Sequence, residues 1–271
     1  MKPLRYGTMI VLSALALLPL YWLLISSIRP AADIFRYGGY FSWHTLIPSQ
    51  VTLENYAELT HGDFPRALAN SMVVSLVTVA AALLVNSMAG FAFAVFRFPG
   101  RDALFVLVLA SFMMPFESIV MPLYTMMRLF GWTDTYSALI LPEVASGLSI
   151  FLFRQFFAAV PKELYEAGRI DGASWWQVYW RLVMPISGPT VATAALMQFV
   201  QQWDAFFWPV VAASSPDKVM IQVAIARHAN LETANWGGLF ASASVSVLVA
   251  ALPFLALQRF YIQTMMHAGG K

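Results

Sequence analysis

The chain of 271 residues contains no cysteine. Disulfides, thiolate metal ligands and cysteine nucleophiles are therefore excluded. Charge is scarce: Asp, Glu, Lys and Arg make up 11% of the residues, where a soluble domain carries roughly 25%. So few polar side chains cannot clothe a water-exposed surface, which leaves a soluble enzyme or a disordered chain as poor readings. The formal net charge of +2 is too small for a phosphate-binding surface, so no nucleic-acid partner is expected. The four histidines, His44, His61, His228 and His267, show no ligand spacing, and no metal site is expected. A G-x-x-x-x-G-K-[ST] phosphate loop is absent too. What is abundant is apolar surface, with 59% of residues hydrophobic and 15% aromatic. That composition belongs to a membrane protein.

Residues 7–28, 67–96, 182–203 and 237–258 run without a charge for 22 residues or more. Two further apolar stretches carry one acid each, 103–127 with Glu117 and 135–153 with Glu143. About 20 apolar residues in a helix cross a hydrocarbon core of about 30 Å. Backbone groups in lipid must be satisfied internally, so the spans are helices. The expectation is an all-α polytopic membrane protein, one domain over 1–271. Its six transmembrane helices lie at about 7–28, 68–95, 103–127, 135–157, 185–213 and 238–259. Pro115, Pro122 and Pro142 are candidate kinks. Lys2 and Arg5 precede the first apolar core as in a signal peptide. That core exceeds the usual length and no small-x-small site follows, so a retained span is expected.

Lys and Arg set the orientation. Segments 1–6, 97–102, 154–181 and 259–271 hold ten of them in 53 residues; segments 29–66, 128–134 and 214–236 hold six in 68. The first set is assigned to the cytoplasm, and with it both termini.

The cytoplasmic segment between spans four and five, 161–184, is much longer than the turn at 97–102. Pro161 suits the first turn of a helix reaching about Ile170, and Gly172 permits the reversal that ends it. Ser174 and Gln177 form a capping box that starts a second helix. Trp175, Val178, Tyr179 and Leu182 recur on one face of it, and Pro185 ends it or marks the entry to span five. In the first helix, Glu166, Ala167 and Gly168 place one charge beside two nearly absent side chains. Such a surface suits docking in a groove on another protein, with charge at the rim to fix register. A solvated loop helix is the alternative.

The run E-A-G-R-I-D-G-A-S, followed by L-V-M-P-I-S-G-P, resembles the EAA loop of bacterial ABC importer permeases. Glu166, Ala167, Asp171, Gly172, Ala173 and Pro185 match the family pattern. Gly168 replaces an alanine, and Leu182 and Met184 replace isoleucine and leucine. S-I-R-P-A-A-D-I-F after span one, T-L-E-N-Y at 52–56, A-L-A-N-S at 67–71, F-R-F-P-G-R at 96–101, P-L-Y at 122–124 and F-L-F-R-Q-F-F at 151–157 are similar to the carbohydrate-uptake branch. Within it the chain is similar to the shorter permease subunit of maltose-type transporters. The resemblance implies an importer subunit of the bacterial cytoplasmic (inner) membrane. It also implies a second permease as heterodimer partner, two ATPase subunits that hold ATP and Mg, and an extracytoplasmic solute-binding protein. The chain itself would hold no cofactor. The loop 161–184 would then be a coupling helix segment seated in the ATPase. Glu166 would pair with a basic residue there, Ala167 and Gly168 would allow close approach, and Asp171, Gly172 and Ala173 would form the turn. The outer loop 214–236 would reach toward the binding protein, or else simply connect two spans. The loop 29–66, which carries Trp43 and His44, is expected to pack on the outer surface.

Ionisable groups within spans are functional candidates. Gln201, Asp204 and Trp208 are spaced to share a helix face, with Gln198 and Gln202 flanking. Amide, carboxylate and indole groups suit a hydroxyl-rich ligand. The family usually has asparagine at the position of Asp204, and this acid points either to an amine-bearing ligand or to a subunit contact. Glu117, between Pro115 and Pro122, is a further pathway candidate, and Glu143 another. Either is equally open to an interhelical hydrogen bond. Asn70 and Asn86 are expected to join helices. The solute remains open between sugars, polyols and glycerol-phosphate compounds. An autonomous secondary transporter would need an internal repeat and an ion site, and neither is visible. A membrane enzyme would need an acid–base or nucleophile set, and none is supplied.

Overall fold

The computed structural model describes residues 2–36, 42–229 and 235–268, with side chains over 5–36, 42–229 and 235–258. Parts of the two outer loops, at 37–41 and 230–234, and the side chains assigned to the cytoplasm at 259–271 lie outside the described residues. Among the described residues, all regular structure is helical. Helix α1 (Lys2–Ser27) is followed by the short α2 (Glu54–His61) and the 32-residue α3 (Phe64–Val95). Next come α4 (Arg101–Met113), α5 (Phe116–Leu129), α6 (Tyr136–Val144) and α7 (Gly147–Ala159). The segment α8 (Lys162–Ile170) and α9 (Trp175–Ile186) leads into α10 (Gly188–Trp203) and α11 (Phe207–Ala212). Then α12 (Ile221–Arg227) precedes the closing α13 (Trp236–Ala268).

Three helices, α1, α3 and α13, are long and apolar enough to cross a membrane unaided; counting each bent pair as one span raises the number to six. The bends are large: 101° between α4 and α5, 40° between α6 and α7, 82° between α9 and α10. The third apolar stretch, expected as one helix over 103–127, is therefore two. Proline disfavours helical backbone at the residue before it. Met114 is accordingly extended at ψ 129°, and Pro115 caps the start of α5 at ψ 131°. Pro122, by contrast, sits inside α5 without ending it. The fifth stretch is also interrupted: α10 stops at Trp203, with Asp204 as its C-cap, and helix resumes at Phe207.

A break inside an apolar layer frees backbone groups that water cannot reach, and each needs another partner. At the α6/α7 break Asn86 of α3 supplies both halves. Its Nδ2 donates to the Val144 carbonyl at 3.0 Å, and its Oδ1 accepts from the Ser146 N–H at 3.1 Å. Pro142, lacking an N–H, leaves the carbonyl four residues earlier without its helical donor. That carbonyl belongs to Ala138, and the Trp208 indole Nε1 donates to it at 2.9 Å.

The chain divides into two compact units, 1–69 with 219–251, and 70–218 with 252–271. In the first, Asn55 clamps the end of α1, its Nδ2 donating to the carbonyls of Ser27 at 2.9 Å and Arg29 at 2.8 Å. Gly237 leaves no room for a Cβ because the Asn55 amide occupies that place. The Tyr56 hydroxyl bridges Ser27 Oγ at 2.7 Å and Ser244 Oγ at 2.8 Å. Arg29 is buried, donates to the Thr45 carbonyl at 2.8 Å and lies over the Trp22 ring. The motifs at 27–35 and 52–56 are thus parts of one clamp.

The second unit is held by an aromatic core around Phe91, Phe153, Phe157, Tyr165, Val178 and Tyr179. Gly90 lets α3 meet α7 backbone to backbone, since a Cβ there would stand 2.6 Å from Phe153 Cβ and 2.9 Å from the Arg154 nitrogen. Asn70 joins helices as expected: its Nδ2 donates to the Asp217 carbonyl at 2.9 Å and its Oδ1 accepts from the Tyr136 hydroxyl at 2.7 Å.

Replacing Asn86 by Leu strips two buried backbone groups of their partners. We expect a loss of about 2 kcal/mol, from about 1–3 kcal/mol per orphaned group moderated by the weaker hydrogen bonds measured in membranes. The thermal midpoint of the detergent-purified protein reads it. Ser75, whose buried hydroxyl has no partner, is the control: Ser75→Ala leaves the midpoint unchanged.

Candidate functional site

Two groups of residues stand out, the segment 161–184 and the polar positions of α5, α6 and α10. In the segment, Pro161 caps α8, and a left-handed Gly172 at φ 81° ends it. The Ala173 N–H donates back to the Gly168 carbonyl at 3.0 Å and the Gly172 N–H to that of Arg169 at 3.1 Å. This pair of bonds satisfies the last carbonyls of the helix and needs a residue at positive φ, which glycine adopts without penalty. Ser174 then starts α9 with the expected capping box: Gln177 N–H donates to Ser174 Oγ at 3.3 Å, and Ser174 N–H to Gln177 Oε1 at 2.7 Å. Arg169 braces the turn from outside, donating to the Ala173 carbonyl at 2.6 Å and stacking over Trp175.

α9 is not a plain α-helix. Its middle, Val178–Val183, is wound in the wider π register, and the Met184 N–H reaches back to Tyr179. The wide turn ends where Pro185 offers no N–H to continue either register. Val178, Tyr179 and Val183 are buried by this winding, while Trp176 and Trp180 remain exposed.

Tyr165 and Tyr179, which the sequence did not mark as functional, anchor the segment to the membrane helices. The Tyr165 hydroxyl donates to the Phe157 carbonyl at the end of α7 at 2.8 Å. The Tyr179 hydroxyl meets Ser87 Oγ of α3 at 2.7 Å. Burial pushes the Tyr165 phenol up to about 12 and raises that of Tyr179, the latter partly offset by the Ser87 hydrogen bond. Both remain neutral donors at physiological pH. The signal available in the sequence was spacing: Tyr165 and Gly168 lie three apart, on one helix face, and both are buried.

Gly168 lines the cleft at this surface and also serves the segment's own packing. It is buried against α9, where an added Cβ would stand 2.5 Å from Leu182 Cδ1 and 3.3 Å from Val178 Cγ2. Glu166, Ala167, Arg169, Ile170, Asp171 and Gly172 are exposed. Ala167, Asp171, Gly172, Ala173 and Arg181 line a cleft of about 470 Å³. Glu166 lines a second cleft, of about 490 Å³, with Arg97, Arg101, Lys162 and Trp175. Beside it Arg101 pairs with Asp102 at 2.9 Å, which lowers the Asp102 carboxyl.

The polar positions of the spans are only partly brought together. The shared helix face of Gln201, Asp204 and Trp208 does not exist, because α10 ends at Trp203 and the chain turns at Asp204. Trp208 is buried, spends its N–H on Ala138 and packs edge-on against Phe116, so it offers no ring to a ligand. Gln198 and Gln202 are also buried. Gln201, Asp204 and Glu117 are exposed. Glu143 is the residue that the arrangement promotes: its carboxylate accepts from Gln201 Nε2 at 3.1 Å and its backbone carbonyl from Gln198 Nε2 at 3.1 Å.

The family described as binding-protein-dependent transport system inner membrane component matches residues 86–267. The arabinooligosaccharides transport system permease protein AraQ of Halalkalibacterium halodurans is 33% identical over 261 residues, 95% of this chain and 92% of the relative. The lactose transport system permease protein LacG of Rhizobium radiobacter is 29% identical over 262 residues, 97% of this chain and 94% of the relative. A solved bacterial ABC transporter involved in the import of the acidic polysaccharide alginate has a chain of the same fold. The TM-score is 0.83 over 96% of both chains, at 20% identity.

The Trp208 to Ala138 bond exists because Pro142 withholds a donor, and this has a double-mutant signature. Trp208→Phe lowers stability by about 1–2 kcal/mol in the parent, as an orphaned carbonyl does. In a Pro142→Ala background, where the helix supplies its own N–H, the same change costs about 1 kcal/mol less. Thermal or denaturant unfolding of the four proteins measures the coupling. A purely steric role for the indole would leave the two costs equal.

Proposed function

Because the chain belongs to the family of binding-protein-dependent transport system inner membrane components, we propose that it is one transmembrane half of an ATP-driven importer that moves a sugar delivered by an extracytoplasmic binding protein. The observation that carries this reading is the segment 161–184. It is a rigid, capped unit that leaves Glu166, Ala167 and Asp171 on its surface and is bonded through Tyr165 and Tyr179 to the ends and flanks of membrane helices. A subunit without a phosphate loop needs an external source of work, and a stiff element that joins its surface to its spans is the part that can receive it. On this reading both termini and the segment are cytoplasmic, in agreement with the Lys and Arg bias. Two ATPase subunits hold ATP and Mg and seat the segment, and a second, different permease completes the path. ATP binding favours one of two packings of the spans, and its differential affinity supplies the switch. The relatives' names, an arabinooligosaccharide and a lactose system, support a saccharide as cargo.

The test is transport by the assembled complex in proteoliposomes. ATP-dependent uptake of arabinotriose or lactose is expected, and this chain alone moves neither. Glu166→Lys reverses the charge at the docking surface and lowers both uptake and binding-protein-stimulated ATP hydrolysis by about tenfold or more, with normal membrane insertion. Gly172→Val strains the left-handed turn and has the same direction. Gly168→Ala is tolerated, since the flexible end of Leu182 can move aside, whereas Gly168→Phe levers α8 off α9 and uncouples. Wild-type activity in Glu166→Lys and Gly172→Val would refute the docking role.

A further inference from the structure

The stretches 103–127, 135–153 and 185–213 contain three acids, Glu117, Glu143 and Asp204, and no lysine or arginine. The fold gathers the elements that carry them. Phe116, next to Glu117 at the start of α5, packs on Trp208 of α11, and Trp208 is bonded to Ala138 of α6, the helix of Glu143. Gln201, one turn before Asp204, donates to the Glu143 carboxylate. Glu117, Gln201 and Asp204 are exposed on the chain's own surface. Within apolar segments, carboxylates on such a surface do not face hydrocarbon; they face water.

A second observation points to a ligand. Gln198 is 2% exposed and its Oε1 has no partner, although its Nε2 is bonded at Glu143; Gln202, one turn further on the same face, is 1% exposed and neither amide atom has a partner. Buried amides are ordinarily satisfied. This unspent hydrogen-bonding capacity lies on the helix face from which Gln198 bonds to Glu143.

We propose that Glu117, Glu143 and Asp204, with Gln198, Gln201 and Gln202, form an acidic, water-filled wall of the solute path that passes uncharged or amine-bearing saccharides and excludes uronates and phosphates. This rests on the reading of the chain as a sugar permease and narrows its cargo. Sugar hydroxyls donate to the carboxylates and bond the exposed Gln201 amide, with Gln198 and Gln202 buried beneath. An anionic solute meets like charges with no cation in these stretches to offset them, and unpaired like charges are an efficient means of rejection. The cargo class therefore differs from that of the importer of acidic alginate that shares the fold.

The absence of cysteine makes a labelling test clean. Gln201→Cys and Ser118→Cys are introduced singly into the chain within the complete transporter. Each is treated with a cationic methanethiosulfonate (ethylammonium) and an anionic one (ethylsulfonate), and mass addition on this chain is followed over time. Rates are normalised to those with mercaptoethanol. The expected result is a cation preference of about tenfold or more at either position, in the range by which charged clefts concentrate counter-ions. Adding Glu143→Gln and Asp204→Asn reduces that preference to below about threefold. Equal rates for the two reagents, an anion preference, or no labelling at both positions overturns the proposal. So does a preference that survives removal of the two acids. ATP-driven lactose or arabinotriose uptake separates the two readings. Uptake without a cation preference refutes the acidic wall and leaves the sugar permease standing. A cation preference that vanishes with the acids, in a complex that takes up neither sugar, keeps the acidic wall and refutes the sugar permease.

Discussion

A backbone carbonyl that loses its donor inside an apolar layer has no water to turn to, and most of this structure follows from how such groups are satisfied. The helices are broken at Met114–Pro115, at Ala145–Ser146 and at Asp204, and the second of these breaks depends on a side chain reaching in from another helix. Asn86 closes it with one amide that serves a carbonyl and an N–H together. Trp208 serves the carbonyl that Pro142 abandons. Each of these bonds also fixes which helix lies beside which, so satisfying the backbone and choosing the packing are one event.

The same economy shapes the segment 161–184. Its two helices are joined by a turn whose bonds are supplied by the Gly172 and Ala173 N–H groups and by the reciprocal pair Ser174 and Gln177. The unit is then tied to α7 and α3 by two tyrosine hydroxyls whose burial keeps them protonated. Tyr165, next to Glu166, thereby fixes α8 directly to the end of α7. The glycine that replaces an alanine of the family pattern, Gly168, belongs to this internal packing. It lets α8 lie close on the wide π turn of α9.

Polar residues inside apolar helices divide by what they touch. Asn70, Asn86 and Trp208 complete the bonding of other elements and are structural. Glu143 and Gln201 bond to one another at the protein's own surface, and Gln198 and Gln202 retain buried atoms without partners. The first group explains why the helices stay together. The second group gathers around Glu143 and is only partly spent on the backbone.

Much of this was legible in the amino-acid order. Scarce charge and uncharged runs of 22 residues or more marked a helical membrane protein, and the glycine and capping signals at 161–184 marked two short helices joined by a tight turn. These are local properties: hydropathy, capping and positive φ depend on a few neighbouring residues. The motif E-A-G-R-I-D-G-A-S placed the chain in its family for the same reason. Other features were out of reach. The 101° turn at Pro115 was read as a kink, because proline disfavours a helical predecessor but does not say whether, or in which direction, the chain leaves. The end of α10 at Trp203 broke a helix face that spacing alone had assumed, and so moved the interest from Trp208 to Glu143. Which polar side chain is spent on a distant carbonyl, and which is left over, is decided by contacts between residues 55 to 70 positions apart. Those contacts exist only once the helices have packed, so composition and periodicity determined the kind of protein, while tertiary structure alone decided which of its polar groups are spent on a neighbouring helix and which are not.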